Sequence, residues 1–174
     1  SIFANGGKKV EPYLIKKILN RSGDVLFEKD EEKFVQIIDP RIAFLITDIL
    51  KEAAARGTAK KVAELKRPDF AGKTGTTNKA ESTWFTGYND QIVTSVWVGF
   101  DQPRSLGDRE FGSSIALPIW LSYKKNIIDD MPLSKKLPPE GLSVIKIDKD
   151  SGEKAKPGSK NLMFEYFLEE NIPN

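Results

Sequence analysis

The chain has 174 residues, of which 39% are hydrophobic and 30% are charged, and its formal net charge is +2. This length suits one domain with its own core, and the balanced charge argues against nucleic acid or an anionic membrane as a partner. With no histidine and no cysteine, the sequence excludes Ser-His-Asp and Cys-His catalysis, thiolate zinc sites and disulfides. We therefore expect no metal and no cofactor, and proton transfer must use lysine, a carboxylate, tyrosine or water.

The first residues resemble the interior of a longer protein. The chain begins at Ser1 rather than at a methionine, and residues 1–7 look like the end of a helix that Gly6 and Gly7 terminate. No apolar run approaches the ~20 residues that cross a bilayer. We therefore expect this chain to be part of a larger polypeptide.

A hairpin and a helix are predicted next. Residues 13–19 and 25–28 are expected to be short strands around a turn at 20–24, which is rich in Asn, Asp and Gly. A charged loop follows at 28–33. The helix starts at Asp39-Pro40, an N-cap acceptor followed by proline at the first helical position.

This helix carries an apolar stripe at helical spacing and is predicted to end at Arg56-Gly57. A second helical segment is expected from residue 58 to residue 65. It should end before Arg67, because the ring of Pro68 disfavours a helical conformation at the residue that precedes it.

An antiparallel sheet is predicted in the middle of the chain. The segments 71–78, 83–88 and 91–100 are rich in β-branched and aromatic residues and are separated by turn-forming residues. A polar loop at 102–112 and a helix at 114–127 follow. The expected fold class is α+β, with helices flanking an antiparallel sheet.

The sequence changes character after residue 131. We divide the chain into a main part, residues 1–131, and a C-terminal extension, residues 132–174, that is partly irregular. Within the extension, residues 142–147 are predicted to form a strand and residues 161–171 a weakly amphipathic helix.

The segment Lys73-Thr74-Gly75-Thr76 carries the chemistry. On a strand, alternate side chains share a face, so Thr74 and Thr76 are expected to lie together. Gly75 has no side chain, so the backbone of a ligand can approach it closely. Two hydroxyl groups, one ammonium group and bare backbone suit a peptide that ends in a carboxylate.

This segment resembles the third active-site motif of the penicillin-binding proteins, in their class A, bifunctional branch. Flanking segments support the resemblance in the same order: Phe3–Gly7 with Val10–Tyr13, Arg56–Ala59, Trp97–Asp101 and Ala116–Trp120. The resemblance implies that residues 1–131 are the C-terminal half of a transpeptidase domain. It also implies that Lys73 polarises the site and that Thr74 and Thr76 hold the substrate carboxylate. The backbone N–H of Thr76 would supply half of the oxyanion hole.

The family also needs a Ser-x-x-Lys, in which the serine is the nucleophile and the lysine takes its proton, and a Ser-x-Asn. Both come before the Lys-Thr-Gly. Here Ser-x-x-Lys occurs at Ser122, Ser143 and Ser151, and Ser-x-Asn at Ser159, all of them after Lys73. The order is wrong, and composition alone gives about one such match. We therefore expect the catalytic serine and its lysine to lie outside this chain and the chain alone to be inactive.

The implied parent is a serine D,D-transpeptidase that cross-links peptidoglycan stem peptides ending in D-Ala-D-Ala and is acylated by β-lactams. It would carry a glycosyltransferase domain and an anchor in the bacterial inner membrane, with its catalytic domains on the periplasmic side. Expected partners are the stem peptide, β-lactams and the missing N-terminal half, or a second copy through an exposed sheet face. Nucleic acid is not an expected partner.

Alternatives from other classes stay open. A D,D-carboxypeptidase or a β-lactamase-like enzyme is expected if the parent lacks a glycosyltransferase domain, and a non-catalytic interaction module if it has lost its Ser-x-x-Lys. Phosphate binding is disfavoured, because a P-loop requires glycine where Arg67 stands and a helix after Lys73. Trp84, Trp97 and Trp120 are predicted to pack in the core and at its rim.

Overall fold

A computed structural model describes residues 1–30, 34–134 and 136–173. The strands are β1 (Lys8–Lys9), β2 (Lys17–Leu19), β3 (Val25–Glu28), β4 (Val35–Gln36), β5 (Ala71–Thr76), β6 (Ser82–Tyr88), β7 (Val93–Gly99), β8 (Leu142–Asp148) and β9 (Leu162–Leu168). The α-helices are α1 (Pro40–Ala55) and α2 (Ala116–Lys125), and 3₁₀ helices lie at Lys60–Leu65 and Glu169–Asn171. The predicted α+β class is confirmed. Residues 31–33 of the predicted charged loop lie outside the described residues.

The first residues form a single helical turn that the two glycines close. The N–H of Gly6 donates to the carbonyl oxygen of Phe3 at 3.1 Å, and that of Gly7 to the carbonyl oxygen of Ile2 at 2.9 Å. Gly6 and Gly7 have φ angles of 65° and 89°, which glycine adopts without a steric penalty. This bond pattern is the Schellman motif, so the predicted glycine cap is confirmed.

The hairpin of β2 and β3 depends on its turn. Oδ1 of Asn20 accepts the N–H groups of Ser22 at 2.9 Å and Asp24 at 2.8 Å, and Gly23 supplies a φ of 90°. The predicted hairpin is confirmed, although its first strand is limited to β2 and does not extend back to residue 13.

Helix α1 begins as predicted. Oδ1 of Asp39 accepts the N–H of Arg41 at 2.8 Å, and Pro40 occupies the first helical position. The helix ends at Ala55, with Arg56 as the C-cap residue. The second helical segment is a six-residue 3₁₀ helix rather than an α-helix, and it leads the chain from the end of α1 to β5.

Strands β5, β6 and β7 form the central sheet in chain order, with an antiparallel register. On one face of the sheet Phe85 is fully buried, and its ring meets that of Trp120 in α2 edge to face, with the centroids 5.0 Å apart. Leu117 and Phe70 belong to the same core. Trp120 is therefore a core residue, as predicted.

The opposite face of the sheet is only partly covered. Helix α1 packs over the end near Tyr88, whose hydroxyl oxygen lies 3.1 Å from Oγ1 of Thr47. Farther along this face, Trp84 and Trp97 are 45% and 47% exposed, with ring centroids 6.3 Å apart. These two tryptophans lie at the rim rather than in the core.

The two α-helices have 16 and 10 residues. The prediction of a helix at 114–127 is confirmed with shorter limits, and Pro118 lies in the first turn of α2, where a missing N–H breaks no helical hydrogen bond. In the described ranges, no helix combines the length and apolar character that crossing a bilayer requires.

The last part of the chain departs from the prediction. The helix predicted at 161–171 is wrong, because Leu162–Leu168 form β9 and pair with β8 over the full length of both strands. Only Glu169–Asn171 are helical. Pairing with an earlier strand outweighs the weak helical periodicity, and the aromatic residues of β9 favour a sheet. The strand predicted at 142–147 is confirmed, whereas the division of the chain at residue 131 stays a prediction.

The hairpin of β8 and β9 packs on α1. The rings of Phe44 and Tyr166 meet edge to face with centroids 5.0 Å apart. Nη1 of Arg41 forms an ion pair with Glu170 at 3.0 Å. The hairpin is therefore fixed to the same helix that covers the end of the central sheet.

Candidate active site on strand β5

The predicted motif occupies the second half of β5, at the edge of the central sheet. Strand β6 pairs with one side of β5, and among the described residues no strand pairs with its other side. Thr74 stands opposite Phe85, and Thr76 stands opposite Thr83. Thr74 and Thr76 therefore share the face that carries the core, and Lys73 lies on the opposite face. The prediction that the two threonines share a face is confirmed.

Thr58 holds the hydroxyl group of Thr74. The two Oγ1 atoms lie 2.9 Å apart, and either can be the donor. Thr58 lies in the turn between α1 and the 3₁₀ helix. A Cβ at Gly57 would lie 2.8 Å from the carbonyl oxygen of Ala53, so glycine allows the chain to turn closely against the end of α1 and brings Thr58 to β5.

Gly112 reaches Thr76 from the loop between β7 and α2. Its N–H donates to Oγ1 of Thr76 at 3.0 Å. Gly112 is buried, and a Cβ there would lie 2.8 Å from the carbonyl oxygen of Gly75 and would collide with that of Trp84. Only glycine lets the backbone of this loop lie directly against β5.

The ammonium group of Lys73 is exposed. Its Nζ donates to the carbonyl oxygen of Thr74 at 3.3 Å, and none of the ion pairs found within the described part of the chain includes it. On the same face, Thr86 stands opposite Lys73 and bonds to Oγ of Ser95 at 2.8 Å. The ammonium group therefore has no carboxylate partner here that would compete with an anionic ligand.

The structure keeps the three Ser-x-x-Lys patterns apart from β5. Ser122 lies in α2, Ser143 in β8 and Ser151 in the turn after β8. In the described ranges, none of these serines forms a side-chain hydrogen bond with its lysine or with β5; the hydroxyl of Ser151 instead accepts the N–H of Glu153 at 3.2 Å.

The sequence reasoning did not identify Thr58 or Gly112 as site residues. Thr58 lies within a segment that carries the family resemblance, but the sequence does not indicate that its hydroxyl group contacts that of Thr74. Gly112 gave a weaker signal, a glycine at the end of a polar loop. It contacts Thr76 across 36 positions of sequence, a separation over which local patterns carry no information.

The comparisons with known proteins define the class. Residues 1–120 match the family model described as the penicillin binding protein transpeptidase domain. This match covers more than half of the chain, and the chain therefore belongs to the penicillin-binding-protein transpeptidase family. The predicted resemblance is confirmed.

Within this family, the chain is similar to penicillin-binding protein 1A. The protein of that name from Pseudomonas aeruginosa is 37% identical, over 99% of this chain and 27% of its own length. That from Neisseria flavescens is 40% identical, over 82% of this chain and 18% of its length. The crystal structure of penicillin-binding protein 1A from Haemophilus influenzae matches with a TM-score of 0.90 and 31% identity, over 99% of this chain and 31% of that one. The chain thus spans less than a third of these relatives.

Proposed function

We propose that this chain supplies the carboxylate-binding side of the active site in a serine D,D-transpeptidase. The observation that carries the proposal is the pair of hydroxyl groups of Thr74 and Thr76 on one face of an edge strand. The exposed side chain of Lys73 starts on the opposite face of the same strand and adds positive charge to this edge. Hydroxyl donors and a cation complement an anionic end group. Membership of the transpeptidase family supports a peptide ending in D-Ala-D-Ala as the ligand, with β-lactams as its mimics.

The proposed reaction needs groups that this chain lacks. A serine from the rest of the parent attacks the carbonyl carbon of the D-Ala-D-Ala bond after a lysine takes its proton. The proton then passes to the departing D-Ala, and the ester transfers its acyl group to an amine of a neighbouring stem peptide. The backbone N–H of Thr76 donates to the oxyanion, and Gly75 lets the peptide backbone lie close to β5.

We propose that the parent has the location and the domains that membership of the family implies. It works on the periplasmic side of the bacterial inner membrane, where the stem peptides are, with its anchor and a glycosyltransferase domain outside this chain. Residues 1–131 form the C-terminal half of the transpeptidase domain and residues 132–174 an extension. The chain alone is inactive, because its own Ser-x-x-Lys patterns do not reach β5.

Labelling by a fluorescent penicillin tests this proposal. We expect a complete transpeptidase domain that includes this chain to be labelled and the chain alone to stay unlabelled. In the complete domain, Thr74→Val and Thr76→Val should each lower the acylation rate about tenfold or more, since a hydrogen bond to a charged group contributes about 1.5–3 kcal/mol.

Thr47→Val is the matched control, because the same chemical change in α1 should leave the rate unchanged. Labelling of the chain alone, or wild-type rates in both β5 variants, would contradict the proposal. Mass spectrometry of the peptide products separates a transpeptidase, which gives cross-linked dimers, from a carboxypeptidase, which gives only the shortened peptide.

A further inference from the structure

We propose that Thr58 and Gly112 are positioning residues that donate hydrogen bonds to Oγ1 of Thr74 and Thr76 while these two hydroxyl groups donate to a ligand carboxylate. This inference rests on the proposed function, in which those two hydroxyl groups bind the end of a peptide. It concerns which hydrogen-bonding role each hydroxyl group takes, and it makes Thr58 and Gly112 determinants of selectivity for an acid over an amide.

Thr76 has a fixed role. A hydroxyl group can donate one proton and can accept at its lone pairs, whereas a backbone N–H only donates. In the 3.0 Å bond with Gly112, the Oγ1 of Thr76 is therefore the acceptor. This atom takes part in no other hydrogen bond within the described residues, so its own proton is uncommitted. Accepting one hydrogen bond also strengthens a hydroxyl group as a donor.

Thr74 can take two roles, and a ligand selects between them. Either Oγ1 atom of the Thr58–Thr74 pair can be the donor at 2.9 Å. An ionised carboxylate only accepts. When it binds Thr74, the proton of Thr74 must point to the ligand, so Thr58 must donate to Thr74. The result is a polarised chain of hydrogen bonds from Thr58 through Thr74 to the carboxylate.

The arrangement discriminates between end groups. Two hydroxyl groups that act as donors match the two oxygen atoms of a carboxylate. A terminal amide replaces one of these oxygen atoms with an N–H₂ group, which is a donor. The amide is also uncharged, and a hydroxyl group donates a stronger hydrogen bond to an ionised oxygen atom than to a neutral one. Two donating hydroxyl groups therefore favour the acid. Loss of the Thr58 hydroxyl removes the hydrogen bond that Thr74 accepts while it donates to the carboxylate, and should reduce this selectivity as well as the affinity.

The test uses the full chain and the dipeptide N-acetyl-D-Ala-D-Ala, with its C-terminal amide as the matched ligand. ¹H–¹⁵N NMR titrations give a dissociation constant for each ligand. For the wild type we expect the acid, and not the amide, to move the backbone signals of residues 74–76. Thr58→Val should weaken binding of the acid about tenfold and lower the ratio of acid to amide affinity.

Two further variants separate positioning from a merely structural role. Thr58→Ser keeps the hydroxyl group and should bind the acid within about twofold of the wild type. Thr47→Val makes the same change as Thr58→Val but away from the site, and its binding should not change. Because Thr58 is exposed, its variants should keep the fold, which the temperature of thermal unfolding checks.

The outcomes distinguish the two proposals. A wild-type chain that binds neither ligand would overturn the carboxylate-binding function and this inference with it. A wild-type chain that binds the acid, together with a Thr58→Val variant of equal affinity and equal selectivity, would overturn the inference alone.

Discussion

At the scale of single residues, Lys124 is unusual because the side chain is fully buried. Its Nζ donates to Oγ1 of Thr94 on β7 at 2.8 Å and lies 5.3 Å and 5.5 Å from the ring centroids of Trp120 and Phe70. No ion pair within the described residues includes it. Burial lowers the pKa of Lys124 from 10.5 to about 8, because a low-dielectric environment disfavours the ammonium form.

We expect Lys124 to make the free energy of unfolding depend on pH. Its pKa is lower in the folded chain than in the unfolded chain, so the unfolded chain binds more protons between about pH 8 and pH 10.5. Stability therefore rises with pH across this interval, by up to about 3 kcal/mol. Urea unfolding at several pH values from neutrality to about pH 9.5 measures the slope.

Lys124→Met removes the titrating group and fills a similar volume. The variant should be more stable than the wild type at neutral pH, and its stability should change little up to about pH 9.5. Lys125→Met is the control, since Lys125 is exposed and its loss should leave the slope unchanged. An unchanged slope in Lys124→Met would show that another group causes the pH dependence.

At the scale of elements, a buried ion pair ties the start of β5 to the segment after α2. The guanidinium group of Arg67 binds both oxygen atoms of Asp69, at 2.8 Å and 2.7 Å. It also donates to the carbonyl oxygens of Met131 at 2.7 Å and Pro132 at 3.0 Å. Asn89, in the turn between β6 and β7, donates to the same carboxylate at 3.2 Å. One network thus joins three separate parts of the chain.

This network should stabilise the fold at neutral pH but not in acid. Burial raises the pKa of Asp69, but hydrogen bonds from Arg67, Asn89 and Ser134 outweigh it, so the pKa lies below its ordinary value of 3.8. A carboxyl group with a lowered folded pKa contributes stability above its unfolded pKa and loses it as pH falls. Asp69→Asn should cost about 3 kcal/mol at neutral pH, because it leaves Arg67 without its partner.

Urea unfolding from about pH 5 to about pH 2 checks this expectation, since the difference between Asp69→Asn and the wild type should shrink as the carboxylate is protonated. Asp129→Asn changes an exposed carboxylate and should have little effect at any pH. If Asp69→Asn lost the same amount of stability at about pH 2 as at about pH 5, the loss would come from packing rather than from the charge of the carboxylate.

The same scale shows what the sequence can predict. The limits of α1 follow from Asp39-Pro40 and Arg56, whose caps involve only neighbouring residues, and the central sheet follows from its β-branched runs and turns. Strand β9 does not follow, because its pairing with β8 is a contact between distant segments. The pairing of the two-residue strands β1 and β4 is missed for the same reason. In the site, the alternation of side chains along β5 predicts that Thr74 and Thr76 share a face. Their hydrogen-bond partners, Thr58 and Gly112, lie in distant loops and cannot be predicted in this way.

At the scale of the whole molecule, many large apolar side chains remain exposed, and the hairpin of β2 and β3 and the open face of the central sheet are two examples. On the hairpin of β2 and β3, Leu26 is 66% exposed and Phe27 is 47% exposed. On the open face of the central sheet, Trp84 and Trp97 are each nearly half exposed. Soluble monomers rarely expose large apolar patches unless a partner covers them. These exposed side chains support a covering partner, and that partner stays a proposal.

We expect the chain alone to associate with a second copy through the open sheet face. This face carries the half-exposed rings of Trp84 and Trp97 side by side, and burying them favours association. Sedimentation should give a mass that rises with concentration. Trp97→Lys should weaken the association about tenfold or more, since covering a half-exposed tryptophan contributes about 2 kcal/mol.

Ile49→Lys changes an exposed residue of α1 and should not affect the association. If Leu26→Lys abolished the association and Trp97→Lys did not, the contact would lie on the hairpin. A polypeptide with the remainder of a transpeptidase domain should compete with self-association, because it would cover the same face.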